Sequence, residues 1–385
     1  MKKHNLFNLG LAALMALSFT QNALAEDEDG EDSRTGVYYE YGDGLRAKTP
    51  GGEVDLTLNL YNKFRVGVTN TEGIEWWGTG TGTKFYIPLS RLILNSDFMG
   101  GLVNLYAEFD IAAVEDRDIY RHKGFIRQEV TLNVTPVEDV TFKIGQWIPP
   151  MGKEGYDYDD FRLNMEDASI AGVGYLPELG VGVDTSFAGN NLVIGVFNGH
   201  NISERRRDTS TDYKIAALLS RTLFGEYDRS VSGDIDYSEE AALDVGIYGV
   251  YDKGKDRDFD LRYTYSTVGV NGGYKHLGLS VELDVAYYNM HFKGEQDAAV
   301  LATTAKAGYF VIPKQLEGVV RLAWLNYHRD IDDATNAWEP ALGVNYYIIG
   351  EDLRVGTMVS YVNTKFHSQS SDKSLRWLTT LVARF

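Results

Sequence analysis

From Val54 to the end of the chain, apolar and polar positions alternate with a period of two. Leu56, Leu58, Leu60, Phe64, Val66 and Val68 interleave with Thr57, Asn59, Tyr61, Lys63, Arg65 and Gly67. Successive side chains of an extended strand point to opposite faces, so this spacing predicts one apolar and one polar face. The same pattern recurs over 103–111, where Val103, Leu105, Ala107, Phe109 and Ile111 alternate with Asn104, Tyr106, Glu108 and Asp110. It recurs again over 277–287 and 353–361. Many segments run to ten residues or more, enough to cross a bilayer at a tilt, whereas strands of soluble sandwiches are usually shorter.

The connections sort into two kinds. Short turns are expected at 95–101, 135–139, 188–191, 271–276, 313–315 and 350–352. Longer links are expected at 70–82, 115–123, 149–178, 200–211, 291–298, 329–336 and 366–374. Bacterial transmembrane barrels alternate short periplasmic turns with long extracellular loops and carry an even strand count. The pattern predicts an all-β chain, a transmembrane antiparallel barrel of about 16 strands. Two links fit poorly, 225–240 being long for a turn and 252–258 short for a loop.

The N-terminus reads as a signal peptide. Met1, Lys2 and Lys3 precede an apolar stretch from Leu9 to Phe19 and the small-residue site Ala23-Leu24-Ala25. Cleavage after Ala25 divides the chain into a signal (1–25), an acidic lead (26–53) and the barrel (54–385). The run from Glu26 to Asp32 reads as a solvated, disordered approach to the first strand. At the other end, Leu375, Trp377, Thr379, Leu381, Ala383 and Phe385 form one mostly apolar stripe. It resembles the C-terminal signal by which outer-membrane proteins address the barrel-assembly machinery. Tyr 25, Phe 17 and Gly 40 against Cys 0 suit a barrel that needs no disulfide, and the formal charge of −18 argues against nucleic acid as a partner.

One segment carries a family likeness. Val140-Thr141-Phe142-Lys143-Ile144-Gly145-Gln146-Trp147-Ile148-Pro149-Pro150-Met151-Gly152 resembles the strand and Pro-Pro turn of the phosphate-selective porin O and P family. Arg91-Leu92-Ile93-Leu94 with Asp97-Phe98, and the hairpin from Gly180 to Gly199, extend the likeness over roughly 85–199. It implies a 16-stranded, trimeric porin with an inward-folding constriction loop at 149–178. Lys153, Glu154, Asp157, Asp159, Asp160 and Arg162 are the constriction-loop candidates. From 153 to 167 carboxylates outnumber cations, which departs from a phosphate site and would favour cations or neutral solutes. An extracellular acidic loop outside the pore, or a divalent-cation site, remains the other reading.

By alternation, Lys63, Arg65, Arg127, Lys143, Arg262, Arg321, Arg354, Glu108 and Asp110 are pore-lining candidates, with Arg376, Glu129, Asp244, Asp260, Glu282 and Asp284 beside them. The glycine-threonine run 78–84 lacks the order of a phosphate-binding P-loop and reads as a surface loop. Trp76, Trp77, Trp147, Trp324, Trp338 and Trp377 suit interfacial girdles. The expectation is passive diffusion of small hydrophilic solutes or ions through the outer membrane, without a cofactor or metal. The expected partners are outer-membrane lipids, lipopolysaccharide and two further copies of the chain. The alternatives are a barrel hydrolase, for which no Gly-x-Ser-x-Gly is present and the histidines fall in loops or at strand ends, and a non-conducting adhesin or structural barrel.

Overall fold

The computed structural model describes residues 35–40, 44–70, 82–111, 126–153, 164–165, 177–201, 213–256, 261–294, 297–331, 334–366 and 371–385. Eighteen strands lie among them. They are β1 (Gly36–Glu40), β2 (Gly44–Lys48), β3 (Val54–Asn70), β4 (Gly82–Phe98), β5 (Val103–Asp110), β6 (Ile126–Val137), β7 (Val140–Trp147), β8 (Glu178–Phe187) and β9 (Asn190–Asn201). The series continues with β10 (Tyr213–Phe224), β11 (Ala242–Asp256), β12 (Leu261–His276), β13 (Leu279–Phe292), β14 (Ala298–Ile312), β15 (Leu316–Ile331), β16 (Ala334–Ile349), β17 (Leu353–Phe366) and β18 (Asp372–Arg384). No helix among the described residues is long and apolar enough to cross a membrane.

Each strand from β3 to β18 pairs antiparallel with the next, and β18 returns to pair with β3 from Leu375↔Asn70 to Arg384↔Tyr61. The result is a closed 16-stranded barrel. Two reciprocal backbone bonds of 2.9 Å between Leu60 and Phe385 complete the seam. Closure leaves no strand edge in the hydrocarbon, where an unpaired amide or carbonyl would have no water to bond.

The strand β3 extends past the end of β18, and the freed edge is taken up by the β1–β2 hairpin, which pairs from Leu45↔Leu58 to Lys48↔Asp55. Arg46 and Asp55 bond across that join at 2.6 Å. Residues 36–40 and 44–48 are therefore structured, although the sequence places them in the acidic lead. Pairing with an otherwise open edge, rather than hydrophobicity, holds them.

Burial along the barrel is inverted relative to a soluble protein. Ile144, Val181, Val196, Ile247, Val270, Leu322 and Leu342 are exposed on the outside, whereas Lys214, Asp244, Lys306, Glu317, Arg321 and Glu339 are buried inside. A continuous exposed apolar belt is what a bilayer requires. Phe142, Phe187, Phe224, Tyr309, Tyr346 and Phe385 stand exposed near the short-turn end, which faces the periplasm in bacterial barrels. Trp324 and Trp338 pair across β15 and β16 on the outer face. Trp147 departs from the girdle expectation, because it lies inside, and Trp76 and Trp77 lie outside the described residues.

The turns depart from expectation at two places: residues 95–98, expected in a turn, belong to β4, with the reversal at 99–102, and the second lies in β12. Residues 271–276, read as a turn because of Gly272 and Gly273, belong to β12. The reversal sits at Leu277-Gly278, where both φ angles are positive (49° and 80°), as a two-residue type I′ hairpin turn demands. Gly273 serves close approach instead, since a Cβ there would meet the Tyr227 hydroxyl at 1.8 Å. The short 252–258 link is explained by long strands, β11 and β12 remaining paired out to Asp256↔Leu261.

Glycines also make room for Trp147. Its ring rests over Gly182 and Gly195 on β8 and β9, where a Cβ would come within 2.6 and 2.7 Å of it, and it meets Phe197 at a ring-centroid distance of 4.6 Å. Gly182→Val is expected to evict the indole and destabilise the barrel by about 1–3 kcal/mol, the usual range for overpacking. Tryptophan emission should shift to the red and the folded, heat-modifiable gel band should be lost at lower temperature. Unchanged emission would show that the ring is not seated on these glycines.

Candidate functional site

The inner wall of the barrel is the candidate site. Its polar residues follow from strand alternation, but their charges come together only through cross-strand pairing. Glu339 on β16 accepts from Arg321 on β15 and from Arg376 on β18, both at 2.8 Å. The Arg321 and Glu339 side chains are fully buried. Arg91 on β4 pairs with Glu108 on β5 at 2.8 Å, and the Tyr106 hydroxyl donates to the same carboxylate at 2.9 Å. Lys306 pairs with Glu282 at 2.8 Å, while Lys214 bonds both Glu178 and Asp252. Arg65 donates to Thr380, and Arg354 stands over the Tyr347 ring at 5.9 Å. Much of the positive charge on this wall is thus answered by neighbouring carboxylates.

Two segments enter the lumen from opposite ends. The chain leaving β7 turns inward at Ile148, whose amide donates to Glu129 at 3.0 Å. It crosses to the far wall, where the Lys153 amide donates to Asp284 on β13 at 2.6 Å. Tyr248 on β11 holds the other oxygen of that carboxylate at 2.6 Å. Further along, Asn164 donates to Glu317 at 2.9 Å, and Met165 packs among Val319, Ala341, Met358 and Leu378. Gly308 and Gly343 thin the wall there, so that Asn164 and Met165 can press against it.

The second segment is the long link between β10 and β11, residues 225–241, which folds into the barrel rather than hanging below it. Arg229 reaches Asp244 and donates to Asn271 at 2.9 Å. Lys275 donates to the Val231 carbonyl at 2.8 Å, and Asp234 accepts from the Gly278 amide at 2.7 Å. The two segments meet in mid-lumen. Ser232 donates to Asn164 at 2.7 Å, and Lys153 lies over the Tyr227 ring at 4.8 Å, with Lys275 also 4.8 Å from that ring. Their described residues pack against β11 to β18. On the opposite side, along β5 to β10, a cavity of about 500 Å³ remains, lined by Tyr106, Asn133, Lys143, Trp147, Asp184 and Arg229 among others.

The structure places Lys63, Arg65, Lys143, Arg321, Arg354, Glu108 and Asp110 on the inner face. Arg127 lies in β6, its side chain outside the described residues, as do Glu154, Asp157, Asp159, Asp160 and Arg162 of the constriction loop. Lys153 is inside and almost completely buried. Arg262 is a correction. It shares the parity of the exposed Val268 and Val270, so it points outward at the long-loop end of β12 and not into the lumen. A sequence pattern gives alternation but not which parity faces the lipid near a strand end. The histidines with described side chains, His276 and His291, also take this outward parity, His291 paired with Asp297 on the rim. The residues missed were Arg91, Lys214, Lys306, Glu317 and Glu339 on the wall, for which strand alternation was the available signal, and Tyr227, Arg229 and Ser232 of the 225–241 link, for which its anomalous length was the only one.

No family model and no curated protein sequence matches the chain. Solved structures do. The chain is similar to the outer membrane channel DcaP of Acinetobacter baumannii, at 11% identity and a TM-score of 0.63, covering 88% of this chain and 99% of that one. It is similar to the anion-selective porin from Comamonas acidovorans, at 12% identity and a TM-score of 0.61, covering 86% and 100%. Outer-membrane expressed OmpT of Vibrio cholerae follows the same course, at 12% identity and a TM-score of 0.59, covering 86% and 98%. At these identities the likeness is one of fold, that of an outer-membrane β-barrel.

The Arg321–Glu339–Arg376 group tests the reading of the wall. Glu339→Gln leaves two guanidiniums without their shared counter-charge, a change of the kind that costs about 3–5 kcal/mol when the pair is buried. A lower unfolding midpoint is expected, together with a reversal potential displaced toward anion preference in a salt gradient. A variant with wild-type stability and selectivity would mean that the group neither braces the wall nor contributes to the field in the lumen.

Proposed function

We propose that the protein is an outer-membrane porin that lets small hydrophilic solutes and ions diffuse passively through a water-filled passage. The observation that carries this reading is the closed 16-stranded barrel with a polar inner wall and a lumen cavity of about 500 Å³ on one side of its inward segments. Barrels of this strand number are wide enough to hold an aqueous channel, whereas eight-stranded barrels are filled by their own side chains.

The resemblance of 85–199 to the phosphate-selective porin O and P family suggests the same scaffold, but phosphate selectivity does not follow from this wall. A multivalent anion is held where cationic side chains replace its hydration shell. Here Arg91, Lys143, Lys214, Arg229, Lys306, Arg321 and Arg376 each stand beside a carboxylate, which weakens the attraction. We therefore read the channel as weakly ion-selective. Arg262, pointing outward at the long-loop end, suits the phosphates of outer-leaflet lipopolysaccharide, and we assign it that partner.

Reconstitution into planar bilayers tests the reading. Stepwise conductance is expected, with cation and anion permeabilities close to one another and no saturable block of chloride current by phosphate. Strong anion preference with phosphate block would overturn the paired-wall argument, and a barrel that inserts without conducting would overturn the porin itself.

A further inference from the structure

The cavity along β5 to β10 lies inside the barrel, beside Asp228, Arg229 and Ser230 of the inward 225–241 link. We propose that this cavity is a binding subsite for small uncharged, polyhydroxylated solutes such as mono- and disaccharides. The inference rests on the porin reading and narrows it to a substrate class.

Three observations lead to it. First, the charged groups that reach the cavity already have partners within the protein. Lys143 lies 3.4 Å from Asp184, Arg229 is paired with Asp244, the Asp228 carboxylate accepts the amide and hydroxyl of Ser230 at 2.8 and 2.7 Å, and Glu129 accepts the Ile148 amide. A solute ion would have to compete with those partners, a cost that a neutral solute does not bear. Second, the remaining polar lining is dipolar. Asn104, Thr131, Asn133, Asn191 and Ser220 supply amides and hydroxyls. Such groups both donate and accept, as sugar hydroxyls do. Asn133 donates to Asn104, which donates to Asn95 and Asp97, so the amides are held in fixed orientations. Third, the half-buried Tyr106 brings aromatic surface to the same cavity, on which the C–H face of a sugar ring packs. The volume of about 500 Å³ lies within the range of small-molecule pockets.

The experiment uses the full-length channel in planar bilayers, with sucrose as probe and gluconate and glucosamine as charged comparisons. Sucrose should reduce the current saturably, with half-saturation about tenfold below that of either charged compound, a difference of about 1.4 kcal/mol. The chain contains no cysteine, so single thiols can be placed and labelled cleanly. Asn191→Cys, on the cavity wall, should lose the saturable block once coupled to a methanethiosulfonate reagent. Glu138→Cys, exposed in the β6–β7 turn, should keep it after the same treatment. A current that falls only in proportion to solution conductivity, a tighter block by gluconate, or a block that survives labelling at Asn191→Cys would each overturn the subsite. In those cases stepwise conductance would still stand for the porin, whereas absence of conductance would remove both.

Discussion

The constraint from which the rest follows is that a backbone amide or carbonyl in hydrocarbon must be bonded within the protein. A chain that crosses as strands must therefore return its last strand to its first. The closure of β18 onto β3 meets that demand, and the Leu60–Phe385 bonds carry it to the final residue. Once the sheet is closed, the period of two has a single meaning at every position. One face meets lipid and must be apolar, while the other encloses an interior that can be as polar as the chain requires. The exposed leucines and valines outside and the buried acids and bases inside are two consequences of the same closure.

An interior of this kind sets its own problem. Charged side chains gathered inside a narrow cylinder repel or attract one another strongly unless water or counter-charges intervene. The wall answers with pairs and with two triads drawn from different strands, Arg321 and Arg376 around Glu339, and Glu178 and Asp252 around Lys214. The inward segments use the same means. Asp284, Glu317 and Asp244 on the wall hold Lys153, Asn164 and Arg229 from the segments that cross the lumen. The result is an off-centre cavity. It is bounded by β5 to β10, and the side opposite is locked by contacts between a loop from one mouth and a link from the other.

Much of this was legible in the chain, and for a physical reason. Strand existence, outward face and alternation of turn lengths are local properties, written in spacings of two residues and in Gly-containing reversals such as Ala188-Gly189. The inward course of the chain after β7 was suggested by the Pro149-Pro150 likeness. What misled was also local. Gly272 and Gly273 resemble a turn to any reading that sees only neighbours, whereas Gly273 is there to admit Tyr227 from a segment remote in sequence. Trp147 at a strand end resembles a girdle residue until Gly182 and Gly195, more than thirty residues away, are seen to form its seat on the inner wall.

The sequence alone determined that the chain is a barrel of about 16 strands, which set of side chains faces lipid along most of each strand, and that basic and acidic residues share the interior. These follow from covalent geometry and the need to satisfy the backbone. Only the tertiary structure decided which charges neutralise one another, that the 225–241 link turns into the lumen, that Arg262 points out of it, and where open volume remains. Those depend on register between strands distant in sequence and on contacts across the cylinder, and a one-dimensional pattern carries no information about distances through space.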